Sequence, residues 1–317
     1  MSFWTGKRVI VTGGSGFLGS HIVDRLRAHD CEVFAPRKLN YDFTRIEDCL
    51  RCFREHRSDL VIHSAACYGG IEFNQLYPAR ICYENLLMSA HLFEAARLTG
   101  VQKFVTIGTA ASYPGYLEGE LKEDNFWDGP PHETVMPYGL TKKMLAVQGV
   151  AYKKQYNFNS IHLVLTNLYG PRDIYNPERS HVVAALIRKW VEAKMTGACE
   201  VEVWGTGKAI REFLYVADCA EAILRAAEFY DSTEPLNVGT GTGITIRELA
   251  ETIHGIVGLE GKIVWNTSKP DGQTKKVLDV TRMKEALHWH PCTDLREGLA
   301  KAVEWYSAHK READQRS

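Results

Sequence analysis

Neither sign of charge is in excess in this chain, which sets 38 lysines and arginines against 39 aspartates and glutamates for a formal net charge of -1. That balance excludes a global basic field for nucleic acid and the charge surplus of a disordered chain, while leaving room for a local anion site. Long apolar runs are also missing. The N-terminus passes within a few residues into Arg8-Val9-Ile10-Val11-Thr12 with no apolar targeting stretch, and nothing approaches the roughly 20 residues of a membrane span. The expectation is a cytoplasmic protein with no membrane and no nucleic-acid partner. Internal repeats and low-complexity segments are absent. The eight cysteines are scattered and no export signal accompanies them, so reduced thiols are expected. Cys49 and Cys52 form a C-x-x-C without a second pair or a well-spaced histidine. Ile46, Leu50 and Phe53 around them describe one face of a helix, and no metal site is expected.

At 317 residues with 45% hydrophobic composition, there is material for a sizeable core in one large or two intimately joined domains. The β-branched run Arg8 to Thr12 leads into Gly13-Gly14-Ser15-Gly16-Phe17-Leu18-Gly19, after which Leu18, Ile22 and Leu26 recur at helical spacing. Strand, glycine turn and helix follow one another. Glycines belong in such a turn because backbone amides at a helix N-terminus must come close to a pyrophosphate. The spacing is G-x-x-G-x-x-G, not G-x-G-x-x-G, and a plain tight turn is the alternative; the flanks favour a dinucleotide site at Gly13, Gly16, Phe17 and Leu18. Beyond the strand Glu32-Val33-Phe34, where an NAD site would place an acid, stand Arg37 and Lys38. Two cations suit a 2′-phosphate, so NADP(H) is the expected cofactor.

Leu60 to His63 and Phe104 to Ile107 continue the alternation of buried strands with helices. His63 reads as a satisfied strand-end histidine. A small-residue loop, Gly108 to Pro114, follows at a strand's carboxyl end, where open α/β sheets keep their ligands. Tyr116 to Val135 reads as a surface excursion. Pro137-Tyr138-Gly139-Leu140-Thr141-Lys142 then sets a phenol and an ammonium four residues apart on one helix face, and a hydroxyl from Thr109 or Ser112 is in position to meet Tyr138. On its own that spacing is common on solvated helices. Past the strand Ile161 to Leu165 the alternation loosens into a mixed smaller unit, and the charged tail from Lys310 is expected to fray. The division expected is 1–166 for the cofactor, with 213–236 returning to it, and 167–212 with 237–317 for substrate.

The glycine turn, Asn85, the hydroxyl-bearing loop and Tyr-x-x-x-Lys, in that order, resemble an extended short-chain dehydrogenase/reductase. The implied fold is α/β: a Rossmann-type doubly wound parallel sheet with a smaller mixed C-terminal substrate domain. Ala65-Ala66, Gly69-Gly70-Ile71, Thr166 to Pro171, Ser180-His181-Val182, Val203-Trp204-Gly205, Arg211 to Leu214, Asn237 to Gly241 and Lys269-Pro270-Asp271-Gly272 narrow the likeness to the GDP-L-fucose synthase family. That family uses NADPH to epimerise GDP-4-keto-6-deoxy-mannose at C3 and C5 and reduce it at C4. The resemblance implies that Tyr138 protonates the C4 alkoxide, that Lys142 lowers its pKa and holds the nicotinamide ribose, and that Thr109 bonds the sugar carbonyl. His181 matches the epimerisation acid, and Ala65 joins the cofactor residues. Arg211 pairs with the diphosphate, Lys189 stands near the nucleotide, Trp204 lines the cleft, and Asn167, Lys269 and Asp271 complete the substrate set. The epimerisation base, a cysteine in the family, is Ala111 here. Removing a proton alpha to a ketone needs a base, so reduction without epimerisation is expected. Ser112, after a one-residue slip, and Cys67 are the conceivable substitutes. The bifunctional reaction and a non-catalytic NADP(H)-binding regulator are the alternatives, and a homodimer through the helices around residues 85–98 and 138–156 is implied by resemblance.

Overall fold

A computed structural model describes residues 2–269 and 273–316. Its larger sheet has six parallel strands in the order Leu236–Val238, Ser160–Leu165, Lys103–Thr109, Leu60–His63, Arg8–Thr12, Glu32–Phe34. Parallel strands covered by helices on both faces lack a wet side, which is why Leu60–His63 and Ser160–Leu165 are buried at every position. The strand order turns back at Arg8–Thr12, and the ends of Arg8–Thr12, Leu60–His63 and Lys103–Thr109 open on one crevice. Two long helices pack side by side against this sheet. Pro78–Thr99 begins on proline and stops at Gly100, whose φ of 78° is left-handed. Met136–Tyr156 likewise has Pro137 in its first turn and stops at Asn157 in the left-handed region.

A second, mixed sheet runs Gly243–Thr245, Ile210–Tyr215, Lys275–Leu278, Glu120–Leu121, with Asn167–Tyr169 also pairing on Ile210–Tyr215. A separate core gathers Tyr169, Tyr175, Trp190, Leu249 and Tyr306 around it. Two buried polar residues join the sheets. The Glu212 carboxylate accepts from the backbone N–H of Leu278 at 2.7 Å and of Gly241 at 2.9 Å. The Asn237 amide donates to the carbonyls of Leu121 and Asp279 and accepts from the Tyr113 hydroxyl.

Several expectations shift here. Residues 213–215 pair in the second sheet, whereas Asn237 and Val238 pair in the first. The stretch Tyr116 to Val135 is more than an excursion, since it supplies the strand Glu120–Leu121 and the fully buried Phe126. Nor is the tail frayed through Gln315: the helix Leu295–Gln315 buries Ala313, and Lys310 pairs with Glu192 at 3.0 Å and Asp314 at 2.5 Å. Charge in a terminal helix is solvated only when no partner faces it, and here the helix Val182–Thr196 does.

Candidate active site

The glycine turn closes on the loop that follows Leu60–His63. Gly13 has a φ of 69°, and a Cβ there would lie 2.8 Å from the nitrogen of Ala65; a Cβ on Gly19 would overlap the Gly13 carbonyl oxygen. Only glycine permits that approach. Ala65 donates its N–H to the Thr12 hydroxyl at 3.2 Å, which in turn lies 2.8 Å from His63 Nδ1. Gly16 caps the helix Phe17–Leu26 with no side-chain hydrogen bond, so its first amides are open to an anion. Phe17 is buried against His21 and Leu18 packs on the core, so what both offer at the turn is backbone. At the far end of the second strand Arg37 is exposed, and Lys38 pairs with Glu84 at 3.7 Å. A cradle that a Cβ would fill, open helix amides and two cations fit a dinucleotide phosphate.

Thr109 ends its strand and accepts the Ala111 N–H at 3.1 Å, tightening the turn Ala110–Ser112. Ser112 is fully buried and donates to the Gly139 carbonyl at 3.0 Å, so it clasps the turn to the next helix and is spent as a base. Gly139 serves the same junction: a Cβ on it would lie 2.6 Å from the Ala111 oxygen. The first turns of the helix Met136–Tyr156, which carry Tyr138 and Lys142, are thereby docked on the turn Ala110–Ser112.

Lys142 is 3% exposed, and burial brings its pKa down to about 8. Its Nζ lies 6.0 Å from the Tyr138 ring centroid. Its charge adds to burial in holding His63 and His162, each down to about 3, in their neutral forms. The expected lowering of the Tyr138 pKa is not what the free protein has. Burial, followed by the neighbouring Tyr68, pushes the phenol up, because the dielectric effect at this depth exceeds the attraction of an ammonium 6.0 Å from the ring.

Tyr68 carries no periodicity or motif that would have singled it out. Its ring nevertheless stands 6.4 Å from that of Tyr138 and 6.0 Å from that of His181. Cys67, the other conceivable base, packs with Phe73, Ile81 and Tyr138, and burial raises its thiol pKa. Asn85 clasps its backbone, accepting from Cys67 N at 2.9 Å and donating to Cys67 O at 2.8 Å.

His181 is the N-cap of the helix Val182–Thr196, exposed to the cleft, with its pKa lowered by surrounding protein. Asn167 is exposed and donates to the Glu212 carbonyl at 2.9 Å. A second cluster gathers around Trp204, which is 57% exposed, with Lys189 Nζ 5.7 Å and Lys269 Nζ 5.0 Å from its ring. Lys189 also donates to the Glu202 carbonyl at 2.9 Å. Arg211 lies in register with Lys276 on the adjacent strand. Lys276 was not among the expected site residues, although burial and then Arg211 bring its pKa down to about 8. Asp271 lies outside the described residues.

A family model described as NAD dependent epimerase/dehydratase family matches residues 9–239. The chain belongs to this family. A GDP-L-fucose synthase of Sinorhizobium fredii is 40% identical over 94% of this chain and 95% of its own. Among solved structures, a GDP-6-OMe-4-keto-L-xylo-heptose reductase from C. jejuni superposes with a TM-score of 0.91 at 26% identity, over 98% of this chain and 100% of that one. A GDP-mannoheptose C4 reductase from Campylobacter jejuni with NADP bound has a TM-score of 0.88 at 27% identity, over 96% and 99%.

Proposed function

We propose that this family member is an NADPH-dependent C4 reductase of a GDP-linked 4-keto-6-deoxy sugar, hexose or heptose, with epimerisation absent or limited. The observation that carries the reading is the junction at Gly139. It brings a phenol and a buried ammonium against a turn that offers the Thr109 hydroxyl but, at Ala111, no base. The relatives with GDP-sugar names and the NADP-bound structure support the nucleotide and the cofactor.

Gly13, Gly16, the Phe17 and Leu18 amides, Ala65, Arg37, Lys38 and Lys142 would hold NADPH, which would supply the hydride for reduction of the ketone. Thr109 donates a hydrogen bond to the carbonyl oxygen, and Tyr138 transfers its proton to that oxygen as it becomes an alkoxide. A phenol whose pKa burial raises stays protonated at neutral pH and is ready to act as an acid. Arg211 and Lys276, adjacent across a strand pair, set two cations against the diphosphate. Trp204 between Lys189 and Lys269 offers the base a face to stack on, and Asn167 and Asp271 complete the substrate set. Leu140, Met144 and Val147, each 40–41% exposed, form an apolar stripe on the helix Met136–Tyr156 that suits a homodimer.

His181 is the one observation that favours a bifunctional 3,5-epimerase and 4-reductase instead. Reduction of a panel of GDP-4-keto sugars in deuterated water, followed by NMR of the products, separates the readings. NADPH oxidation with no deuterium at C3 or C5 is expected. Label at those carbons overturns the loss of epimerisation, and no NADPH oxidation with any sugar overturns the reductase. A non-catalytic regulator is ruled out if Tyr138→Phe lowers turnover by about 10²-fold or more while NADPH binding is retained.

A further inference from the structure

We propose that Tyr68 is a specificity-determining residue of the sugar subsite, an aromatic wall that the sugar must lie along between Tyr138 and His181; this deepens the reading above and rests on it. The two flanking groups come from different elements, the helix Met136–Tyr156 and the N-cap of Val182–Thr196. A single ring borders both, with planes 28° from that of Tyr138 and 12° from that of His181. Three aromatic groups in near-parallel array therefore run along the cleft from the proton donor of the reduction to the substrate-domain histidine. Sugars present apolar C–H faces as well as hydroxyls, and a fixed aromatic surface discriminates among them by shape at little entropic cost.

The wall is held from both sides. On the cofactor side Asn85 fixes the backbone of the preceding residue, Cys67, through two hydrogen bonds, and the Asn85 side chain is itself 5% exposed. From the substrate side Arg179 Nη2 donates to the Tyr68 carbonyl at 3.0 Å while its guanidinium packs over Phe73 at 5.3 Å. Tyr68 is not a replacement base. Burial and then the nearby carboxylate of Asp173 push its phenol up to about 12, with Arg179 opposing, so it stays neutral across the working range. A neutral ring clamped at its backbone contributes shape, and what it contacts is the sugar rather than the nucleotide, whose candidate contacts lie at Trp204 and Arg211.

Calorimetric titration of GDP and of GDP-mannose into the wild type, Tyr68→Phe, Tyr68→Leu and Tyr68→Val tests this. Expected is a loss of about 10-fold in GDP-mannose affinity for the Val and Leu variants, equivalent to about 1.4 kcal/mol, with GDP affinity within 2-fold of wild type and Phe close to wild type for both. With a turnover substrate the same variants raise KM for the sugar more than they lower kcat, and leave KM for NADPH unchanged. Equal losses for GDP and GDP-mannose, or none, overturn the role of Tyr68 while leaving the reductase reading standing. Should the wild type bind neither compound, the GDP-sugar reading itself fails and the role of Tyr68 falls with it.

Discussion

Replacing Lys142 with methionine should abolish reduction and, at the same time, stabilise the protein. The ammonium is 3% exposed, and no carboxylate pairs with it among the described residues, so burial alone takes its pKa from 10.5 to about 8. At about 1.4 kcal/mol per pKa unit, holding the charged form in the fold costs roughly 3 kcal/mol. The folded-state pKa lies below that of the unfolded chain, so between pH 8 and 10.5 the unfolded state binds more protons. Wild-type stability therefore rises with pH through that window. Methionine keeps the unbranched stem and has nothing to ionise. Urea unfolding at pH 7 should show Lys142→Met more stable by up to about 3 kcal/mol, with m unchanged, and the gain should vanish by about pH 10.5. NADPH oxidation followed on the same samples should be lost if Lys142 has its proposed role of holding the ribose and supporting proton transfer from Tyr138. A variant no more stable than wild type at pH 7 would refute the argument. So would a gain that persists undiminished at pH 10.5, which would locate it in packing and not in charge.

Asp173, 3% exposed, is the mirror case: burial raises its carboxyl to about 7, with the Ile174 N–H at 2.7 Å opposing. Its folded-state pKa exceeds the unfolded one, so its contribution is fully present below pH 4 and is lost as pH rises to 7. Asp173→Asn keeps the acceptor, and its melting temperature relative to wild type should climb between pH 4 and pH 8, with at most about 4 kcal/mol at stake; a difference that stays constant across that range would count against the assignment. The apolar stripe of Leu140, Met144 and Val147 predicts a light-scattering mass near twice 35.8 kDa for the wild type. Val147→Glu should run near the single-chain mass, and a monomeric wild type would remove the dimer.

The sequence by itself determined what depends on local pattern. Gly13, Gly16 and Gly19 after a β-branched run dictate a strand, a close turn and a helix, because at Gly13 and Gly19 no other residue tolerates the backbone approach seen there. Tyr138 and Lys142 share a helix face by spacing alone. The apolar runs 60–62 and 163–165 point to buried parallel strands, and the strands Leu60–His63 and Ser160–Leu165 are buried at every position. Tertiary structure decided everything that joins residues distant in the chain. Lys276 faces Arg211 through the register of two strands, and neither residue's own neighbours announce that pairing. Tyr68 lies in an irregular loop with no period to betray it, and only the packing of two helices around that loop places it between Tyr138 and His181. The hydroxyl of Ser112 looked available beside Ala111 until the fold turned it onto Gly139. Depth is likewise a property of the folded whole: the spacing of Tyr138 and Lys142 promised an ammonium that lowers a phenol's pKa, and burial instead raised the phenol and lowered the ammonium.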